Sequence, residues 1–333
     1  MFQRQARRVM SCFFWISFAA CFWACDKTSS TEVKEAENKA VEKTTEQVEP
    51  KAPEPVVVTK QERPLLWQID GEKGPVYLLG TIHVGFDARE KLPDYVWEKL
   101  KSSKTFYMET DLGKVEMQTA QRSALPEGES LDKMLSKESW EELDRRMNGV
   151  AEQFRSLKPW VIISMLTMKM LPEGIVTGAP MDQVLHAEAK ERGLKLGYLE
   201  EPDYQITVLD ETLTIEELEE MLSHFDEQKE DLVKLFEYYN AGDIESMKTV
   251  SFKDLDEKPE MYEKLFFKRN EAWVPQIEEQ IKESNGAFFA FGAGHLLGER
   301  GVLDLLEKKG YKPYRLTAEV VEKQKKNDEQ VNP

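Results

Sequence analysis

Two histidines in this chain follow hydrophobic runs by way of a glycine. Val76-Tyr77-Leu78-Leu79-Gly80-Thr81-Ile82-His83 and Phe288-Phe289-Ala290-Phe291-Gly292-Ala293-Gly294-His295 share the pattern strand, Gly-x-x-His, 212 residues apart. The chain holds four histidines, so two in matched settings point to a shared task. Imidazole ligates metals and moves protons near neutral pH, and a glycine lets the chain turn tightly off a strand end. Two acids close similar runs: Glu109 in Thr105-Phe106-Tyr107-Met108-Glu109 and Glu200 in Leu196-Gly197-Tyr198-Leu199-Glu200. Ligands of open α/β sheets collect outside the carboxyl ends of the strands. Four strands would thus deliver His83, Glu109, Glu200 and His295 to one edge. Two imidazoles with one or two carboxylates suit a divalent metal (Mn, Co or Zn), with water at the open position of a catalytic site. Because imidazole must be neutral to ligate, such a site should fail below about pH 6.

The elements that must position these groups read as follows. Leu65–Ile69, the turn Asp70-Gly71-Glu72-Lys73-Gly74 and Val76–Ile82 predict a β-hairpin. Residues 90–101 predict a short helix with Pro93 near its first turn, and Thr105–Glu109 a strand. Strand, helix, strand is a βαβ crossover with parallel strands. Helical spacing runs through 130–170, 214–248 and 258–284. Met181–Arg192 predicts a helix closing at Gly193, Leu194–Leu199 a strand, Ala287–Phe291 a buried strand, Gly298–Lys309 a helix and Tyr314–Leu316 a last strand. The fold class is α/β: a mixed, mainly parallel sheet with flanking helices and a helical insertion at about 125–280, all within a folded unit at 63–320. The Lys/Glu/Asn-rich residues 321–333 predict a frayed, disordered tail.

Composition removes several classes of function. Forty-five basic against 62 acidic residues give a net charge of −17 over 333 residues, a surface that repels phosphate backbones and excludes nucleic acid as a partner. All three cysteines lie at positions 12, 21 and 25, so the folded unit has no disulfide framework, Cys-bound zinc or thiol nucleophile. There is no His-Glu-x-x-His, Gly-x-Ser-x-Gly or Gly-x-x-x-x-Gly-Lys. Gly292-x-Gly294 could cradle a dinucleotide phosphate, but Leu297 stands where the third glycine belongs. His186 and His224 read as surface groups, and Glu109 and Glu200 also admit purely structural readings.

The N-terminus reads as an address. Arg4, Arg7 and Arg8 precede an apolar run from Val9 to about Ala24, as in a signal peptide. Small residues before Cys25, or alternatively Cys21, resemble a bacterial lipobox, which makes residues 1–25 a lipoprotein-type leader and the cysteine the lipidated residue. Residues 26–62, with nine acids, six lysines and three prolines, predict a disordered linker. The expected localisation is the bacterial cell envelope, anchored to a membrane by the lipid and facing the periplasm or exterior.

Several motifs together resemble the TraB/GumN (TraB/PrgY/GumN, Tiki-like) family. They are Leu66-Trp67-Gln68-Ile69, Leu79-Gly80-Thr81-Ile82-His83-Val84-Gly85, Met108-Glu109-Thr110-Asp111, Asp182, the Leu199-Glu200 … Gln205 run, Arg269-Asn270 and Gly292-Ala293-Gly294-His295-Leu296-Leu297-Gly298-Glu299. They span roughly 65–316 in the family's order. The chain departs from the family's pattern in the Gly178-Ala179-Pro180-Met181 approach to Asp182 and in Glu201 after Glu200. The resemblance implies a divalent-metal centre built from the two Gly-x-x-His motifs and a glutamate, with metal-dependent peptide hydrolysis by analogy with Tiki. Carried over, His83, His295 and Glu109 hold the metal. Glu109 or Glu200 shuttles a proton, and Arg269 and Asn270 take polar roles, Arg269 stabilising an oxyanion. The partner is then a peptide or protein substrate. The alternative is a non-catalytic binding protein that sequesters a peptide signal or haem at the same edge.

Overall fold

The computed structural model describes residues 61, 63–83, 87–171 and 178–331. Its centre is a six-stranded mixed sheet in the order β4-β3-β5-β2-β1-β6. The strands are β1 (Leu66–Asp70), β2 (Pro75–Thr81), β3 (Thr105–Met108), β4 (Lys195–Tyr198), β5 (Ala287–Gly292) and β6 (Tyr314–Arg315). β2, β5, β3 and β4 run parallel, while β1 pairs antiparallel with both β2 and β6. The expected hairpin is present, with Leu66 opposite Leu79 and Asp70 opposite Pro75. The expected crossover also makes β2 and β3 parallel, but they do not pair: β5 fills the slot between them. Every residue of β5 is buried, as an unbroken apolar strand covered on both faces must be.

Between β2 and β3 lie α1 (Ala88–Lys91) and α2 (Asp94–Ser102). The single helix expected over 90–101 is therefore two, because Pro93 has no N–H to continue α1 and its ring disfavours helical backbone at Leu92. Leu92 is extended, and Pro93 caps α2. The stretch from β3 to β4 carries α3 (Leu112–Arg122), α4 (Leu131–Met134), α5 (Lys137–Arg146), a 3-10 turn (Ala151–Phe154), α6 (Pro159–Met170) and α7 (Met181–Glu191). From β4 to β5 run α8 (Pro202–Thr212), α9 (Ile215–Ser223), α10 (Phe225–Ala241), α11 (Ile244–Ser251), α12 (Pro259–Tyr262), a π turn (Glu263–Phe267) and α13 (Lys268–Glu283). The helical insertion is thus not one block, since β4 brings the chain back to the sheet inside it. A 3-10 turn (Ala293–His295) and α14 (Val302–Lys308) precede β6, and α15 (Ala318–Val331) follows it. No helix among the described residues is long and apolar enough to cross a membrane.

Both ends of the folded unit extend past the sequence expectation. Gln61 is buried, its Nε2 donating to the Tyr239 carbonyl at 3.2 Å and its N–H to that of Lys91 at 2.9 Å. The expected frayed tail is helical as α15, held by buried Val321, by Gln324 on the Tyr314 hydroxyl and by the Lys325–Glu98 ion pair. The leader and lipobox expected at 1–25 and, apart from Gln61, the linker expected at 26–62 lie outside the described residues.

Across the sheet, Tyr107 of β3 lies in register with Phe289 of β5 on one side and Gly197 of β4 on the other. Its ring stacks on Phe289 with centroids 4.7 Å apart, and a Cβ on Gly197 would come within 2.3 Å of the ring. The bare glycine gives the aromatic ring its seat at the sheet edge. Gly197→Ala is therefore expected to cost about 1–3 kcal/mol, the usual scale of overpacking. Urea denaturation checks this, with Tyr107→Ala in the same chain expected to remove most of the difference.

Candidate functional site

The carboxyl ends of the four parallel strands carry the site. Thr81 is level with Gly292, Ala290 with Met108, and Met108 with Tyr198. The residues just beyond are His83, Glu109, Glu200 and His295, and all four are buried or nearly so. A Cβ built on Gly292 would stand 3.0 Å from His83 Nε2 and 3.2 Å from Glu109 Oε1, and 3.7 Å from His295 Cδ2. The second glycine of the motif pair thus leaves open the space that three of the functional side chains face.

Each histidine has one nitrogen fixed. His83 Nδ1 lies 2.7 Å from Asp182 Oδ2, and the Thr81 hydroxyl donates to Asp182 Oδ1 at 2.7 Å. Asp182 sits in the first turn of α7, where the helix dipole favours a carboxylate. His83 Nε2 is buried with no hydrogen-bond partner, and Glu109 Oε1 is 3.4 Å away. Burial alone would lower the pKa of His83. The Asp182 carboxylate, helped by Glu109, outweighs it and raises the pKa to about 10.

His295 is the opposite case. Its Nε2 is 3.2 Å from Arg269 Nη1; a guanidinium only donates, so this nitrogen accepts and Nδ1 bears the proton. Nδ1 donates to Asn270 Oδ1 at 2.7 Å, and Asn270 Nδ2 donates to the Arg300 carbonyl at 2.9 Å. The ring lies against Trp273 and Phe266, with centroids 4.4 and 4.9 Å away. Burial and the adjacent guanidinium hold its pKa well below the ordinary histidine value.

Arg269 links the two acids. It leaves the first turn of α13, just after the π turn, a helical irregularity frequent at functional sites. Nη2 donates to Glu109 Oε2 at 2.7 Å and to Glu200 Oε1 at 2.6 Å, Nε donates to Glu200 Oε2 at 2.9 Å, and Nη1 reaches the Leu265 carbonyl at 3.0 Å. Glu109 also accepts from Gln205 at 3.0 Å and from the Gly292 N–H at 2.7 Å. Burial works against the charge of Glu109, but Arg269 and the histidines hold its pKa well below the carboxylate range. Glu200 is shifted upward, chiefly by burial, despite Arg269 and a Trp273 Nε1 contact at 3.3 Å.

The donor set suits a divalent cation. Two imidazoles with Nδ1 locked by hydrogen bonds turn Nε2 inward, as metal-bound histidines do, one of them orphaned beside a carboxylate oxygen. Among the described residues, however, no three His, Cys, Asp or Glu side chains surround one point closely enough to hold an ion in this arrangement; the Arg269 guanidinium stands between His295 and Glu109. The cavity lined by His83, Tyr239, Phe266 and His295 is about 10 Å³, room for one water-sized group and far too small for a haem. The Gly292 N–H binds a carboxylate, so Gly292-x-Gly294 is no phosphate cradle.

Asp182 and Gln205 join the constellation directly. Thr81 and Trp273 went unread in the sequence, although one lies inside Gly80-x-x-His83 and the other four residues after Arg269. Arg300, whose carbonyl orients Asn270 from a left-handed backbone (φ 60°), carries no sequence signal at all. His224 bonds Ser223 and the Glu220 carbonyl, and His186 is half-buried on α7; neither belongs to the cluster.

The model of the TraB/PrgY/gumN family matches residues 65–315. The chain belongs to that family. Its similar relatives include Metalloprotease TIKI1 of Homo sapiens, 27% identical over 314 residues, with 74% of this chain and 60% of that protein covered. Metalloprotease TIKI2 of Danio rerio is 25% identical over 325 residues, with coverage of 77% and 61%. The Metalloprotease TIKI homolog of Nematostella vectensis is 24% identical over 307 residues, with coverage of 71% and 64%. The chain spans about 60% of the length of the curated relatives it matches first. No solved structure matches it. The TraB/PrgY/gumN match takes in every strand and every side chain of the cluster, and leaves out α15.

The raised pKa of His83 has a sign that can be checked in the presence of a chelator. A folded-state value of about 10 against 6.5 adds stability that is full below pH 6.5 and lost as pH rises through 10. The melting temperature of the wild type should exceed that of His83→Gln most at pH 6 and least at pH 10. A gap that stays constant over that range would contradict the ion-pair account of His83.

Proposed function

We propose that this chain is a divalent-metal-dependent peptidase tethered to the bacterial cell envelope. The observation that carries the reading is the convergence on Gly292 of two histidines with locked Nδ1 atoms and a buried glutamate. The metalloprotease names of its relatives support the same reading. His83, His295 and Glu109 would hold the ion (Mn, Co or Zn), which when bound supplies Lewis acidity toward a peptide carbonyl and acidifies water.

The chain's own residues do the rest. Asp182 and Asn270 fix the two rings by opposite means, a carboxylate for His83 and a neutral amide for His295. Glu109, kept ionised by Arg269, is a standing negative charge. Glu200, which burial pushes toward the neutral form and Arg269 holds by both oxygens, is the carboxyl that can take up and return a proton during turnover. With an ion on Glu109 and His295, the N–H groups of Arg269 that those two now occupy would be free to stabilise an oxyanion developing on the substrate. In the same reading Cys25, or Cys21, carries the lipid, residues 26–60 form the tether, and the folded unit faces the periplasm or exterior.

Elemental analysis of the whole chain after loading with Mn, Co or Zn tests the centre. About one metal per chain is expected, lost in His83→Ala/His295→Ala, together with peptide-library cleavage that a chelator abolishes. Glu109→Gln should lower kcat by on the order of 100-fold or more. Equal or absent metal in wild type and double variant would overturn the reading.

A further inference from the structure

Arg269 touches two of the three groups assigned to the ion, Glu109 through Nη2 at 2.7 Å and His295 Nε2 through Nη1 at 3.2 Å. It is buried, like both of them. A guanidinium and a divalent cation cannot share the single Nε2 lone pair of His295; at Glu109 the guanidinium holds Oε2 while Oε1 faces His83, and there the two positive charges repel across one carboxylate in a site with little water. Arg269 also has a complete second set of acceptors on its far side. Nε and Nη2 reach the two oxygens of Glu200 at 2.9 and 2.6 Å, and Nη1 reaches the Leu265 carbonyl at 3.0 Å. If Glu109 and His295 were released, every guanidinium nitrogen would keep a partner. Trp273, whose ring lies 4.9 Å from the guanidinium carbon, would hold it from the side.

We infer that Arg269 is a resident cation that competes with a divalent ion for Glu109 and His295, and that Glu200 decides the contest by retaining the guanidinium. The inference rests on the metal-binding part of the function proposed above. For metal affinity it makes Glu200 a positioning residue, acting on the ion only through Arg269. That separates it from a general field effect, in which each charge would act on a cation independently.

The test is a double-mutant cycle read as affinity for Zn, Mn or Co, by competition with a chromophoric chelator, on the whole chain. Arg269→Met should tighten binding at least tenfold. Glu200→Gln, which removes the charge that draws the guanidinium away from Glu109 and His295, should weaken it at least tenfold. In the Arg269→Met background, Glu200→Gln should change affinity less than threefold. A Glu200→Gln effect of equal size in both backgrounds would overturn the inference and leave the metal reading standing. Removing Arg269 strands two buried carboxylates, so Arg269→Lys is the fallback. Its ammonium has three donors against the five contacts that Arg269 makes, so it cannot hold both acids, His295 and the Leu265 carbonyl at once, and it should tighten binding by a smaller factor; unchanged or weaker binding would count against competition. No metal bound by wild type or any folded variant would overturn the metal reading and the inference together.

Discussion

Two carboxylates buried side by side repel, and neither Glu109 nor Glu200 could stay ionised at the sheet edge without a cation between them. Arg269 supplies it, and the rest of the site follows from where that guanidinium must stand. It fixes α13 against the ends of β3 and β4, draws the π turn close enough to give up the Leu265 carbonyl, and sets Trp273 against the ring of His295. A buried ion pair adds little net stability when compared with apolar packing, but breaking one side of it is severe. Its value here is geometric, because one planar fork measures the separation of two strand ends.

The matched Gly-x-x-His motifs suggest two equivalent histidines, and their surroundings make them unlike. His83 leans on a carboxylate and keeps its proton far into the alkaline range; His295 faces a guanidinium and gives its proton up. The asymmetry comes from residues on other elements, Asp182 on α7 and Arg269 on α13.

Much of the site was legible in the sequence because strand ends are local events. A hydrophobic run closing in Gly-x-x-His or in an acid announces both the strand and the side chain at its end, and His83, Glu109, Glu200 and His295 do meet. Strand order was less legible. Nothing local in Ala287–Gly292 states that it enters between β2 and β3, since that depends on pairings with residues about 180 and 210 positions away. Helix boundaries at Pro93 and the extent of α15 were decided by one ring's sterics and by long-range contacts such as Lys325 with Glu98. Arg269 read by itself is one charged residue on a charged helix, and only the fold puts two acids on it.

The late arrival of β5 has a consequence for how the molecule comes into being. On the ribosome, β1, β2, β3 and β4 all emerge before it, yet β2 and β3 share no hydrogen bonds, so the sheet exists only as two separate pairs until β5 joins them. Pairings of such long sequence separation are slow, because loop closure precedes any gain from contact. The same strand brings Gly292 and His295, and its arrival completes the sheet and the cluster in one event. A nascent chain therefore carries no assembled centre until residue 295 has been made, and a copy cut short before residue 287 has neither a continuous sheet nor a site.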